Sequence, residues 1–176
     1  MKRYFRIGLL ILLTTTSCLQ TPRTQVLFPL TLATTTENNV TVSIQLLKKN
    51  EDKYLLSATF TPMEEAHLYS KDLPITGIDG VGRPTLLELS FESQIKPVGE
   101  LMESAPSQEP ETEPKALRVY PVGAVTLSLP IELPPGTNWV EESVRVTYMA
   151  CTESGCKPPV MGKLISIQIP GANLIQ

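Results

Sequence analysis

Residues 144–160 read VRVTYMACTESGCKPPV and contain two of the three cysteines of the chain. Apolar residues alternate with polar ones over 144–148, which predicts a β-strand leading toward Cys151. Four residues, 152–155, separate Cys151 from Cys156. A connection this short predicts a hairpin whose two sulfurs face each other across its mouth. The sequence therefore predicts antiparallel β-structure with a cysteine pair at one end.

The residues after Cys156 determine the surroundings of the pair. Pro158 and Pro159 have no N–H to donate to a neighbouring strand, so the cysteine pair is expected to lie near an open edge. The neighbouring ammonium of Lys157 favours the thiolate form of Cys156, which is the form that attacks disulfides. As a structural link, a six-residue ring contributes only about 2 kcal/mol. Two interpretations stay open: a reactive pair, and a disulfide that only fastens the hairpin.

Alternation of apolar and polar residues recurs through the chain, while no segment carries a convincing apolar stripe at helical spacing. The chain has 16 Pro and 10 Gly, which favour turns between short strands. We therefore predict an all-β fold, an immunoglobulin-like antiparallel β-sandwich formed by residues 25–176. A β-barrel would give a similar pattern. The predicted strands outside the hairpin lie within residues 40–46, 54–60, 87–91, 125–131 and 165–169.

The first 18 residues have the features of an export signal. Three basic residues among the first six precede an apolar run over 7–13, which is too short to span a bilayer as a helix. Small residues then lead to Cys18, as in bacterial lipoprotein signals, where the cysteine becomes the lipidated N-terminus. We predict a signal peptide over 1–17, a lipid anchor on Cys18, and a polar tether over 18–24. The protein would then face the periplasm in the bacterial cell envelope. The alternative is an ordinary signal peptide with an unmodified Cys18.

The charge balance and the residue inventory exclude several classes of function. The net charge of −3 falls to −6 without the three basic residues of the leader, so no nucleic-acid partner is expected. His67 is the only His, so a zinc site would be incomplete and no catalytic triad can be assembled. We expect no metal and no cofactor. With Cys18 assigned to the lipid, Cys151 and Cys156 remain as the pair that an exported protein joins in a disulfide.

Residues 103–115, ESAPSQEPETEPK, interrupt the pattern of strands. The segment contains four Glu and three Pro and has almost nothing to bury. We predict a long, mobile, acidic and Pro-rich loop. Two roles are open for this loop: a tolerated surface insertion, and a lid or partner contact beside a site.

The cysteine hairpin resembles the active-site hairpin of the N-terminal periplasmic domain of the thiol:disulfide interchange protein DsbD. The shared pattern is a Tyr three residues before the first Cys, a short loop, and a second Cys followed after one residue by two Pro, as over 148–159 here. Residues 67–71, HLYSK, resemble the aromatic-Leu-Tyr strand of that family. The run Leu-Pro-Ile at 129–131 follows after a variable loop, as it does there. The resemblance extends over residues 40–170.

The resemblance implies a role for residues of the hairpin and of its neighbouring strand. Cys156 corresponds to the cysteine that forms mixed disulfides with partners, and Cys151 corresponds to the cysteine that resolves them. Tyr69 matches a tyrosine that lines the family's site, with a core or edge aromatic as the alternative. His67 takes the place of an aromatic residue in the same strand, with a half-buried strand His as the alternative.

The resemblance also implies which residues surround the cysteine pair. The family covers its disulfide with a cap loop, and in that region this chain has Glu100, Leu101 and Met102 as candidate cap residues. The residues expected to line the site next to the second cysteine are Lys157, Pro158 and Pro159.

Partners follow from the same resemblance. Such a domain takes electrons from a membrane-embedded partner and passes them to periplasmic thioredoxin-like proteins. Because this chain has neither a membrane electron-carrying domain nor a C-x-x-C motif, the donor and the clients are expected on separate polypeptides. We predict a lipid-anchored thiol-disulfide relay with protein-disulfide reductase activity. The alternative is a redox-silent immunoglobulin-like lipoprotein used for binding or envelope assembly, with a structural disulfide.

Overall fold

The computed structural model describes residues 26–50, 53–63 and 65–175. The predicted signal peptide, Cys18 and the tether therefore lie outside the described residues. Within those ranges the chain forms β-strands and one 3-10 helix, Ala172–Leu174, with no α-helix. The strands are β1 (Leu30–Glu37), β2 (Val40–Asn50), β3 (Lys53–Pro62), β4 (His67–Leu68), β5 (Leu86–Leu89), β6 (Lys96–Pro97), β7 (Met102–Glu103), β8 (Val125–Glu132), β9 (Trp139–Tyr148), β10 (Ala150–Thr152), β11 (Gly155–Cys156) and β12 (Val160–Pro170).

The described strands form three sheets in which every pairing between named strands is antiparallel. The largest sheet has the order β1-β2-β3-β8, and the short strands β6 and β7 both pair with β8. The second sheet has the order β12-β9-β5. A small third sheet, β11-β10-β4, carries the cysteine pair.

One apolar core joins the two larger sheets. Every second residue of β2, from Val40 to Leu46, is buried, as the alternating pattern predicts. The second sheet contributes Val144 and Val146 from β9 and Ile167 from β12 to the same cluster. Two antiparallel layers that share a core form a β-sandwich, the architecture of immunoglobulin-like domains. The predicted all-β antiparallel sandwich is confirmed, and the described sheets do not close into a barrel.

Two details of the strand prediction differ from the structure. The strand predicted over 87–91 ends at Leu89, and Phe91 is 99% exposed. The chain turns there, because the N–H of Ser93 donates to the carbonyl of Ser90 at 3.1 Å. Strand β1 was not predicted from the alternation. Its register shifts between Thr31 and Ala33, which breaks the period of two.

The sandwich has two ends that are set by the register of its strands. At the N-terminal end, Leu30 at the start of β1 lies opposite Leu46 of β2. At the other end, Glu37 lies opposite Val40, and the carbonyl of Glu37 accepts a hydrogen bond from the Tyr148 hydroxyl at 3.3 Å. Strand β10, with Cys151, begins two residues after Tyr148. The cysteine pair therefore lies at the end of the sandwich opposite to the one where the chain enters β1.

Across the described ranges, we find no helix with the length and apolar character needed to cross a membrane.

Candidate functional site

Strands β10 and β11 form the hairpin that carries the cysteine pair. Cys151 stands opposite Cys156, Thr152 stands opposite Gly155, and the two sulfurs are joined in a disulfide. Gly155 has a φ of 143°, a backbone conformation that favours glycine, and this lets the chain reverse within two residues. The predicted disulfide is confirmed.

The two sulfurs of the disulfide have unequal surroundings. Cys151 belongs to β10, the central strand of its sheet, and is 3% exposed. Cys156 belongs to β11, the edge strand, and is exposed. Of the two cysteines, Cys156 is therefore the one that is accessible to a thiolate arriving from solvent.

The hydroxyl of Tyr69 lies against the buried half of the disulfide. Its oxygen is 3.1 Å from the Sγ atom of Cys151 and 4.0 Å from that of Cys156. The backbone of Tyr69 is fixed, because its carbonyl accepts a hydrogen bond from the Thr85 hydroxyl at 2.7 Å. Burial raises the pKa of Tyr69, so the phenol keeps its proton at neutral pH. The hydroxyl is thus available to donate a hydrogen bond to the Cys151 sulfur.

His67 lies on the other side of Cys151 from Cys156. It is the β4 residue that pairs with Cys151, and its ring packs edge-on against that of Tyr69 with centroids 5.5 Å apart. The side chain is half-buried, and this burial lowers the pKa of His67, so the neutral imidazole is favoured. The structure therefore brings His67 and Tyr69 together beside the disulfide.

A small apolar cluster covers Cys151, and sequence reasoning did not identify it. The segments that supply it are held by two backbone hydrogen bonds: Ser70 N–H to Arg118 O at 2.9 Å, and Tyr120 N–H to Leu68 O at 2.8 Å. In the sequence, the only pattern that indicates these segments is the short alternation of apolar residues over 117–119. The buried members of the cluster besides Cys151 are Tyr69, Leu73, Leu117 and Val119.

A groove of about 750 Å³ lies on the hairpin beside the disulfide. Ala150 and Thr152 line it, whereas Cys151 between them belongs to the buried cluster, so the groove lies on the opposite face of β10. The groove is open next to the exposed cysteine. The other lining residues are Asn39, Met63, Ala66, Ser154, Gly155, Cys156 and Lys157.

The residues after Cys156 leave the hairpin as their sequence predicts. The N–H of Lys157 donates to the carbonyl of Ala150 at 2.9 Å, and the carbonyl of Pro158 accepts from the Asn38 Nδ2 amide at 2.8 Å. Lys157, Pro158 and Pro159 are all exposed. They extend the exposed surface that begins at Cys156.

The candidate cap residues lie on the large sheet. Met102 pairs with Ser128 of β8, Leu101 packs against the main core, and Glu100 is exposed. In the described part of the chain, none of these three residues belongs to the cluster around Cys151. A capping role for them stays a prediction.

The acidic segment 103–115 is connected to the cover of the disulfide. Gln108 and Val119 exchange backbone hydrogen bonds of 2.8 and 2.9 Å. Glu103 accepts a hydrogen bond of 2.6 Å from the hydroxyl of Tyr120. Mobility of this segment stays a prediction, and two of its residues, Glu103 and Gln108, are hydrogen-bonded to residues next to the site.

Over the ranges that the structure describes, no three His, Cys, Asp or Glu side chains are grouped so that they could hold a metal ion.

Replacing Tyr69 with Phe is expected to slow reduction of the disulfide by dithiothreitol about tenfold or more. The departing Cys151 thiolate loses its hydroxyl donor, and hydrogen bonds to charged groups are among the stronger ones. The measurement is the rate of disulfide reduction in the full chain. The matched control is Tyr54→Phe, a buried tyrosine of β3 whose ring packs against Phe28 at the far end of the sandwich. Equal rates for the two variants would contradict a role for the Tyr69 hydroxyl.

Comparison with known proteins gives distant structural likenesses. No family model and no curated protein matches the chain by sequence. The crystal structure of the Neisseria meningitidis DsbD N-terminal domain in the reduced form is 18% identical and covers 76% of this chain and 86% of that chain, with a TM-score of 0.43. The GAE domain of GGA2p from Saccharomyces cerevisiae is 13% identical and covers 79% of this chain and 99% of that chain, with a TM-score of 0.39. Neither likeness is close enough to transfer a role.

Proposed function

We propose that this chain is a thiol-disulfide exchange protein whose Cys151–Cys156 pair accepts two electrons from one partner and passes them to another. The observation that carries the proposal is the unequal disulfide. One sulfur is exposed on an edge strand, and the other is buried beside a protonated phenol. A disulfide that only fastens a hairpin requires neither access to one sulfur nor a hydrogen-bond donor at the other.

The exchange starts with attack on the exposed sulfur. A partner thiolate forms a bond to Cys156 Sγ, and the bond to Cys151 Sγ breaks. Cys151 leaves as a thiolate, receives the hydrogen bond of Tyr69, and takes a proton from solvent. A second partner thiolate then attacks the partner sulfur and releases Cys156. Two partner thiols become one disulfide, and the protein's disulfide becomes two thiols.

The same steps in reverse pass the electrons on. The Cys156 thiolate attacks a client disulfide, and Cys151 resolves the mixed disulfide that forms. The sequence resemblance of the hairpin supports periplasmic thioredoxin-like proteins as clients and a membrane-embedded electron donor on a separate chain. Lys157 lines the groove, on the face opposite to the sulfurs, so an effect of its ammonium on the Cys156 thiolate stays a prediction.

The reduction potential of the pair tests the proposal against a structural disulfide. We expect the full chain to be reduced in glutathione redox buffers, with a potential above the roughly −300 mV that marks stable structural disulfides. The reasons are the exposure of Cys156 and the small ring that the disulfide closes. The measurement is the reduced fraction at equilibrium, determined by thiol alkylation and mass spectrometry. A disulfide that stays intact throughout these buffers would favour the fastening role.

We also propose that the protein is anchored to a membrane of the bacterial cell envelope through Cys18. The support is the sequence of basic residues, apolar run, small residues and cysteine at the start of the chain. Labelled palmitate is expected to enter the full-length protein and to be lost completely in Cys18→Ser. Incorporation that persists in Cys18→Ser, or a mature N-terminus other than Cys18, would contradict the anchor.

A further inference from the structure

Strand β11 is the edge of its sheet, and its register determines where its backbone groups point. Cys156 stands directly opposite Cys151, and the next residue, Lys157, donates its N–H to the carbonyl of Ala150. In an antiparallel ladder, pairs that exchange hydrogen bonds alternate with pairs that exchange none. Because Lys157 bonds to Ala150, the Cys151–Cys156 pair between them and the turn is one that exchanges no hydrogen bonds. The N–H and the C=O of Cys156 therefore point away from β10, toward solvent.

Cys156 is the one residue of this edge whose backbone N–H and C=O both point outward and are both available for hydrogen bonds. The next residue that would point outward is Pro158, which has no N–H. Its carbonyl is already occupied by the side chain of Asn38. On the other side of Cys156, Gly155 pairs with Thr152 of β10, so its backbone groups point toward β10. The edge thus offers two backbone hydrogen bonds at a single position, and that position is the exposed cysteine.

We infer that this edge binds extended, cysteine-bearing segments of other chains, with the incoming cysteine paired antiparallel to Cys156. Such segments, found in chain termini and in unfolded proteins, are a class of client additional to folded thioredoxin-like partners. The inference rests on the proposed exchange chemistry of the Cys151–Cys156 pair. The incoming cysteine donates its N–H to the Cys156 carbonyl and accepts from the Cys156 N–H.

This pairing aligns three sulfurs for the exchange reaction. Directly opposite residues of neighbouring strands project to the same face, and neighbouring strands are about 4.8 Å apart. Cys151, Cys156 and the incoming cysteine therefore form a row across three strands. The incoming thiolate approaches Cys156 Sγ from the side opposite to Cys151, along the axis of the bond that breaks. One S–S bond forms, one breaks, and Cys151 leaves with the electron pair.

The residues on either side of the incoming cysteine would reach the groove. Side chains alternate along a strand, so these neighbours point to the face opposite to the sulfurs. The groove lies on that face and includes Met63, which is 57% exposed, and Ala66. The groove also includes the polar residues Thr152 and Lys157, so this surface accommodates both apolar and polar residues next to the client cysteine.

Three probes test the pairing on the oxidised full chain. The first is the peptide thiol acetyl-Thr-Cys-Val-amide. The second carries an N-methyl group on the cysteine nitrogen, which removes the hydrogen bond to the Cys156 carbonyl. The matched control carries the N-methyl group on the valine nitrogen, which points away from β11. Mixed-disulfide formation is followed by acid quenching and mass spectrometry, and each rate is corrected for the measured pKa of the peptide thiol.

We expect the cysteine-methylated peptide to react about threefold to tenfold more slowly than the other two, the effect of one lost hydrogen bond. In Cys151→Ala joined to the unmodified peptide, the Cys156 amide is expected to exchange with deuterium more slowly than in the free variant. Equal rates for all three peptides would overturn the pairing and leave the exchange chemistry intact. No reaction with any peptide or with 2-mercaptoethanol would instead overturn the proposed function.

Discussion

Alanine at position 151 is expected to trap a covalent complex between Cys156 and a thioredoxin-like partner. Cys156 is exposed on an edge strand, so its sulfur remains able to form the mixed disulfide. Cys151, which we propose resolves this intermediate, is absent in Cys151→Ala. The complex therefore accumulates and can be identified by mass spectrometry after non-reducing electrophoresis.

The reciprocal variant is the control for this experiment. In Cys156→Ala the remaining sulfur belongs to Cys151, which is 3% exposed and covered by Leu73, Leu117 and Val119. We expect at least about tenfold less complex, because a partner sulfur cannot approach without displacing these side chains. A complex formed only through Cys151 would reverse the assigned roles. No complex with either variant would contradict the relay.

The substitution Phe60→Ala is expected to lower the free energy of unfolding by about 3 to 5 kcal/mol. Phe60 of β3 is 0% exposed, and its ring packs edge-on against Tyr148 of β9 with centroids 5.7 Å apart. The contact joins the two layers of the sandwich close to the end that carries the disulfide. Truncation leaves a cavity between the layers and removes contacts from both sheets.

The chain supplies a matched control for this substitution in Phe91. That residue is 99% exposed in the connection after β5, so Phe91→Ala is expected to change the free energy of unfolding by less than about 0.5 kcal/mol. Urea unfolding of the oxidised protein measures both variants. Similar losses for the two variants would contradict the assigned core.

The regular strands of the sandwich were predictable because burial on one face imposes a period of two on the sequence. Residues 40–46, 54–60 and 125–131 show it clearly, and the structure buries them accordingly. The pattern gives no information on where a strand ends. Phe91 continued the alternation of Leu87 and Leu89, but a hydrogen-bonded turn at Ser90 carries it into solvent.

The hairpin of the candidate site was predictable, whereas its cover was not. Cysteine spacing and the two prolines are local features, and they determine the disulfide and the open edge. The cover of Cys151 comes from Leu73, Leu117 and Val119, which are far from it in sequence. Only long-range pairing, such as the hydrogen bond from Ser70 to Arg118, brings these segments together. The candidate cap at 100–102 stays a prediction, and of its residues Met102 pairs with Ser128 of β8.

The disulfide and the chain entry lie at opposite ends of the sandwich, and for a chain anchored through Cys18, as we propose, this sets the height of the disulfide above the membrane. Along β2, the eight steps from Val40 to Lys48 measure about 27 Å. Residues 18–26 can extend by at most about 28 Å. With Cys18 anchored as we propose, Cys156 samples a layer that reaches about 55 Å from the lipid headgroups. An electron donor embedded in the same membrane must carry its own cysteines up into that layer, whereas freely diffusing clients enter it unaided.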